Sequence, residues 1–200
     1  MPGSEHLTLA SKSAARTAVL RGAGLSFDTR DSQVDEDVTK AALLAKGASP
    51  RVIALALAEE KALAVSNIQS GLVIGADQTL EFEGQLYDKV SNLEAARARL
   101  KQLRGHPHHL HSAVVLARDG QVVWRDTVTA TLTMRDFSDR FLDTYLDAEG
   151  TAALGSVGCY RMESLGVQLF SAIDGDYFTI LGLPLMGLLE RLRAHAVLTP

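Results

Sequence analysis

Cysteine is nearly absent: Cys159 is the only one in 200 residues. An intramolecular disulfide is therefore excluded, and a reducing compartment is expected. The plain reading of Cys159 itself is a small buried hydrophobe. Long apolar runs are missing too. No stretch approaches the ~20 residues of a membrane span, and MPGSEHLTLASKS at the start has neither the cationic region nor the apolar run of a signal peptide. These absences predict a cytoplasmic protein with no membrane partner. There is no basic excess either, with 24 acidic residues against 20 basic and a net charge of −4. That argues against a nucleic-acid polymer as partner, but not against a small anionic ligand, which needs only a few local cations. Neither GxxxxGK[ST] nor HExxH occurs, and there is no repeat, low-complexity tract or long linker.

The chain is otherwise that of a soluble globular protein, 46% hydrophobic and 22% charged. Its length fits one domain or two intimate lobes. Strands are expected at 6–10 and 25–27, around a helix that ends near Gly22 or Gly24. Helices are expected over 38–46 and 51–65, separated by the breaker GASP. VIGADQTLEFEG reads as a strand carrying Asp77 and Gln78 at its end, followed by a partner strand over 79–83. SNLE (91–94) matches a capping box, opening a helix with Leu93, Ala96, Leu100 and Leu103 on its apolar face. Asp119-Gly120 marks the turn of a long hairpin. Its second arm alternates Thr127, Thr129, Thr131 and Thr133 with Val128, Ala130, Leu132 and Met134. Ser138 caps a helix to about 148, with Phe137 and Leu142 as a hydrophobic staple. Strands near 168–173 and 177–180 and a helix after Pro184, with Leu188, Leu189 and Leu192 inward, complete the chain. Strands and helices mix without strict alternation, which predicts an α/β protein with a mixed sheet and flanking helices.

Several residues invite a chemical reading, each beside a plainer one. A buried carboxylate such as Asp77 is costly unless paired, hydrogen-bonded or bound to a metal. LASKSAAR places Ser11, Ser13 and Arg16 where a strand becomes a helix, a position that favours an anion; alternatively Ser13 only caps the helix and Arg16 lies in solvent. VDED (34–37) either complements a helix dipole or supplies a hard-metal ligand. Lys61 either snorkels to the surface or meets a ligand, and Lys89 is solvated or faces one. HPHHLH (106–111) holds four of the six histidines. Strand alternation sends His108 and His109 to opposite faces, so turn and strand roles are favoured over a zinc site.

Taken in order, these pieces resemble the Maf family of nucleotide pyrophosphatases from Leu9 to about Leu192. The family's LASxSPRR stands as Leu9-Ala10-Ser11-Lys12-Ser13-Ala14-Ala15-Arg16, its DE as Asp35-Glu36 and its helix KA as Lys61-Ala62. Its GADT is Gly75-Ala76-Asp77-Gln78, its gKP is Asp88-Lys89-Val90, and its SGxxH step is Arg104-Gly105-His106-Pro107-His108. GDYFTILGLPL (175–185) is close to the family's GDYxNVxGLPL. Ala14 and Ala15 replace the Pro and first Arg of SPRR, and Val90 replaces a proline. Gln78 replaces the Thr after the aspartate, and Glu163 the family's late Gln. The last two changes resemble the branch whose members prefer 7-methyl-GTP over pyrimidine nucleotides.

The resemblance implies a single Maf-like domain over residues 4–196, with two lobes around a nucleotide-binding cleft in an ITPase-like arrangement. It implies hydrolysis of a nucleoside triphosphate to monophosphate and pyrophosphate, for removal of non-canonical or methylated nucleotides. Asp77 is the implied proton acceptor, and Glu36 and Asp77 the contacts of Mg²⁺ or Mn²⁺. Ser11, Ser13, Arg16, Lys61 and Lys89 are implied phosphate ligands, and Ala15, Gln78 and Glu163 specificity positions. A homodimer is also implied. The rival of another class is a non-catalytic nucleotide-binding regulator of septum formation. A third reading is a hydrolase built on the histidine cluster.

Overall fold

The computed structural model describes residues 6–199; residues 4 and 5 of the expected domain, and the first five of the N-terminal stretch, lie outside them. The strands are β1 (Leu7–Leu9), β2 (Asp28–Thr29), β3 (Leu72–Phe82), β4 (Gln85–Tyr87), β5 (Pro107–Arg118), β6 (Gln121–Met134) and β7 (Phe170–Asp174). The helices are α1 (Ala14–Gly22), α2 (Glu36–Leu44), α3 (Pro50–Ser66), α4 (Leu93–Leu103), α5 (Asp139–Glu149), α6 (Tyr177–Ile180) and α7 (Leu185–Ala194). The strands form one open mixed sheet in the order β2-β1-β3-β5-β6-β7, with β4 paired to β3. β1 runs parallel to β2 and β3, while β3–β4 and β6–β7 are antiparallel. The expected mixed sheet with flanking helices is therefore what the chain builds.

The chain divides into two compact units. The first runs to Gln78 and takes in His111–Val128 and the residues from Tyr177 onward. Alternation along its strands sets two apolar faces. Ile74, Ala76, Val114 and Leu116 join Val19 and Leu20 of α1 and Leu188 and Leu192 of α7. Ala113, Val115 and Ala117 instead meet Ala54, Ala58 and Ala62 of α3. These alanines let α3 approach closely: a Cβ at Gly75 would lie 2.1 Å from the Ala58 carbonyl oxygen. α3 starts where Ser49 accepts from Val52 N, with Pro50 in the first turn, a favourable helix opening.

The second unit comprises Thr79–Leu110 and Thr129–Asp176. Ala96, Leu100 and Leu103 of α4 are buried as their spacing requires, but Leu93 is not. Ser138 caps α5 by accepting from Phe141 N, and both proposed staple residues, Phe137 and Leu142, are buried.

Several expected boundaries move. Residues 79–83 do not form a partner strand: β3 continues unbroken to Phe82, and its partner is Gln85–Tyr87. The reversal comes at Glu83-Gly84, both with left-handed φ (52° and 76°), as a two-residue hairpin requires. The capping box at 91–94 shifts by one, because Asn92 Oδ1 takes the Ala95 N–H at 2.8 Å. The strand expected at 25–27 lies at Asp28–Thr29, since Leu25 is drawn into the core. Residues 177–180 form a helical turn, not a strand; their last carbonyls are held by side chains described below. The long hairpin turns at Asp119-Gly120 as expected, with φ of 50° and 73°. Among the described residues no helix is long and apolar enough to cross a membrane.

Candidate active site

The partner that Asp77 requires is Lys61. Close packing of α3 on Gly75 brings the Lys61 ammonium to 2.7 Å from Asp77 Oδ1 and 2.7 Å from Glu36 Oε1. Lys61 is buried, not snorkelling. Glu36 opens α2, where the neighbouring Asp35 is the cap, accepting from Val38 N. The acidic run thus divides its work: Asp35 satisfies the helix end and Glu36 turns to Lys61.

Burial pushes the Asp77 carboxyl above its usual range, and this outweighs the opposing charges of Lys61 and Arg16. Burial acts on Glu36 in the same direction, but the hydrogen bond and charge of Lys61 win and hold it below the usual range. The environments thus push the pKa values of the two carboxyls apart, one up and one down. Desolvation draws the Arg16 guanidinium below its usual value, opposed by Asp77 and Glu36. An arginine nevertheless stays charged.

Arg16 lies in the first turn of α1, behind the Ser13 cap. Ser13 Oγ accepts from Arg16 N at 3.3 Å, so the capping reading of Ser13 holds. Ser11 Oγ accepts from Ser13 N at 3.1 Å and from Arg16 Nη1 at 3.3 Å, and Arg16 Nε donates to the Gly182 carbonyl at 2.8 Å. Arg16 is therefore a fixed cation and not a solvated one. Ala15, beside it, is partly buried. Gln78 directs its amide nitrogen inward, to Ser112 and to the carbonyls of Thr179 and Ile180.

In the second unit, Lys89 is exposed. Its loop is pinned by Arg99, which donates to the carbonyls of Asp88 and Val157 at 3.0 and 2.9 Å and lies over the Tyr87 ring. Glu163 Oε1 receives Arg161 Nε at 3.2 Å. Arg161 also reaches Glu149, a buried carboxylate that takes the Leu165 N–H at 3.2 Å. His108 and His109 do face differently: His108 is fully buried against the Tyr160 hydroxyl at 2.7 Å, while His109 meets Thr131 Oγ1 at 3.0 Å.

Glu36 and Asp77 suit a hard divalent cation, being two carboxylates drawn to one point with oxygen donors only. No group of three or more His, Cys, Asp or Glu side chains converges among the described residues. An ion here would take the rest of its shell from phosphate and water, the habit of Mg²⁺. The sequence reading missed Ser112 and Arg161. Ser112 had a signal, a lone hydroxyl within the apolar run LHSAVVLA; Arg161 had none.

The first unit thus gathers a carboxyl with a raised pKa, a carboxyl with a lowered one, an ammonium and a fixed guanidinium beside a helix start. Comparison with known proteins identifies the family. The profile of the family described as Maf-like protein matches residues 6–195. A nucleoside triphosphate pyrophosphatase of Caulobacter vibrioides is 58% identical over 193 residues, covering 96% of this chain and 97% of its own. A nucleoside triphosphate pyrophosphatase of Granulibacter bethesdensis is 50% identical, covering 96% and 98%. A 7-methyl-GTP pyrophosphatase of Brucella abortus is 48% identical, covering 94% of each chain. The chain belongs to the Maf family.

Proposed function

We propose that this protein hydrolyses nucleoside triphosphates to the monophosphate and pyrophosphate, removing methylated or non-canonical nucleotides. The observation that carries this reading is Asp77, a buried carboxylate with a raised pKa, tethered by Lys61 and close to Arg16. Asp77 takes a proton from the water that attacks the α-phosphorus, the bond between that phosphorus and the bridging oxygen breaks, and pyrophosphate leaves. Lys61 holds Asp77 through Oδ1, so Oδ2 is the oxygen left to accept the proton. Arg16, with Ser11 and Ser13 beside it, takes phosphate oxygens, and Lys89 is a further phosphate ligand. Substrate phosphates also compete for the Lys61 ammonium. Such fixed cations stabilise charge that grows on the leaving group. Glu36 and Asp77 would hold Mg²⁺ or Mn²⁺, which supplies neutralising charge and acidifies bound water.

Glu163 reads the base, with Ala15 and Gln78 at the other positions that separate the branches. A 7-methylguanine ring is cationic and offers donors that a carboxylate accepts through charge-assisted bonds. A thymine or uracil ring offers one N–H between two carbonyl oxygens that a carboxylate repels. Cytoplasmic residence and a homodimer are part of the same proposal, by family resemblance.

The test is a nucleotide panel with Mg²⁺ or Mn²⁺, assayed for pyrophosphate. Monophosphate and pyrophosphate in equal amounts are expected, with 7-methyl-GTP cleaved faster than dTTP or UTP. Glu163→Gln should narrow that gap ~5- to 30-fold, the loss of one hydrogen bond to a charged group. Release of orthophosphate, or binding without turnover, would refute the reaction. A preference untouched by Glu163→Gln would refute the base contact.

A further inference from the structure

Gln78 follows Asp77 on β3 and so projects from the opposite face of the sheet. Its amide nitrogen donates to Ser112 Oγ at 2.8 Å and to the carbonyls of Thr179 and Ile180 at 3.0 Å each. Two N–H groups thus serve three acceptors, and a flipped amide would aim its own carbonyl at two others. Ser112, with no exposed surface, turns its hydroxyl proton to the Thr179 carbonyl at 2.7 Å. The same carbonyl accepts from Gly182 N at 3.0 Å. α6 is a single turn, and Gln78 and Ser112 add side-chain donors to the carbonyls at its end.

The Gly182 peptide carries this anchoring to Arg16. Its carbonyl accepts from Arg16 Nε at 2.8 Å. Its φ of +90° is left-handed, and a Cβ there would lie 3.4 Å from the guanidinium nitrogens. With Nε on Gly182 and Nη1 on Ser11, Nη2 is the guanidinium nitrogen left for an anion. Apolar packing could hold the 179–182 segment in place, but it would not fix the direction of its carbonyls. Hydrogen bonds do.

We propose that Gln78 and Ser112 are positioning residues: by pinning the 179–182 segment they aim Arg16 at the triphosphate. This rests on the hydrolase reading above, in which Arg16 faces phosphate. The residue next to the proton acceptor thereby sets the phosphate clamp from the other face of the same strand, so both halves of the reaction share β3.

The experiment is a double-mutant cycle on kcat/KM for pyrophosphate release, with kcat and KM resolved and Tm measured for every variant. Ser112→Ala and Gln78→Met should each lower kcat/KM ~10- to 100-fold, the scale of a misplaced catalytic contact. In an Arg16→Ala background the same changes should matter by less than ~2-fold, because their effect passes through a side chain already gone. The loss should divide between kcat and KM as it does for Arg16→Ala itself. Equal losses in both backgrounds would mean that the network supports only the fold, and would overturn the proposal. An Arg16→Ala protein as active as the parent would remove the phosphate role of Arg16, and the proposal with it. Should Ser112→Ala not fold, Gln78→Met, at a partly exposed position, completes the cycle alone.

Discussion

In the first unit charge is buried: Lys61 and Asp77 are each less than a tenth exposed and touch at 2.7 Å, with Glu36 on the same ammonium. In the second unit the lysine pairs stay outside, and a buried carboxylate, Glu149, is met by a half-exposed arginine. Asp139 meets Lys101 at 2.9 Å and Arg104 at 2.7 Å with about half its side chain in solvent. Besides Glu149, which Arg161 and the Leu165 N–H satisfy, this unit buries a neutral polar pair. His108 and Tyr160 share a hydrogen bond beside Phe170, and burial pulls the His108 pKa down to about 4 while raising that of Tyr160. Ion pairs in water contribute little to stability, and buried ones are an inefficient way to obtain it. The first unit thus buries a complete ion pair, Lys61 with Asp77, where the second leaves its lysines and arginines at the surface.

The largest effect expected is on the buried carboxylate. Asp77→Asn should leave the fold intact and lower turnover ~10²- to 10⁴-fold, the usual cost of losing a general base. In the parent, activity should fall toward acid with a limb above pH 3.8, the ordinary aspartate value, because burial raises this one. Near-parent turnover in a folded Asp77→Asn protein would leave the buried charges without a purpose. Lys61→Met tests their cost directly. It strands the buried Asp77 carboxylate, and denaturant unfolding should show a loss of ~3 kcal/mol, with activity lost as well. A gain in stability would show that the lysine itself is the expensive group.

The neutral cluster of the second unit makes a pH prediction. Between pH 6.5 and about 4 the unfolded chain binds a proton at His108 that the folded chain refuses. This contribution is therefore whole above pH 6.5 and is lost as pH falls toward 4, up to ~3 kcal/mol. His108→Phe should flatten that slope in urea melts taken from pH 7 to 4; an unchanged slope would place the titration elsewhere. The smallest effect belongs to the surface. Asp139→Asn should move Tm barely, and less still at high salt, where exposed pairs are screened. A loss matching that of Lys61→Met would erase the distinction between the two units.

Much of this was legible in the chain. The helix starts at Ser13 and Ser138 and the turn at Asp119-Gly120 depend on a few adjacent residues, and all of them hold. The register motifs around Arg16, Glu36, Lys61 and Asp77 gave the family, and the first unit gathers those four around one cluster. The errors came where a local pattern was ambiguous. Asp77 and Gln78 read as a strand end because polar residues interrupt an apolar run, yet distant partners satisfy both and the strand goes on. FTI (178–180) has strand composition, but its carbonyls are held by Gln78 and Ser112 and the turn closes into a helix.

Local propensity and periodicity, then, determined the elements, the absence of disulfides and the set of chemical side chains, because each depends on neighbours within a turn or two. Which charges are desolvated and how each is compensated was decided only by the tertiary structure. Lys61 is 16 residues from Asp77, and Gln78 is 101 from Thr179. Burial and hydrogen-bond partnership are sums over such distant neighbours. The same lysine that a helix pattern sends to the surface is held inside by two carboxylates, because α3 packs on Gly75 with nothing larger than a methyl group between them.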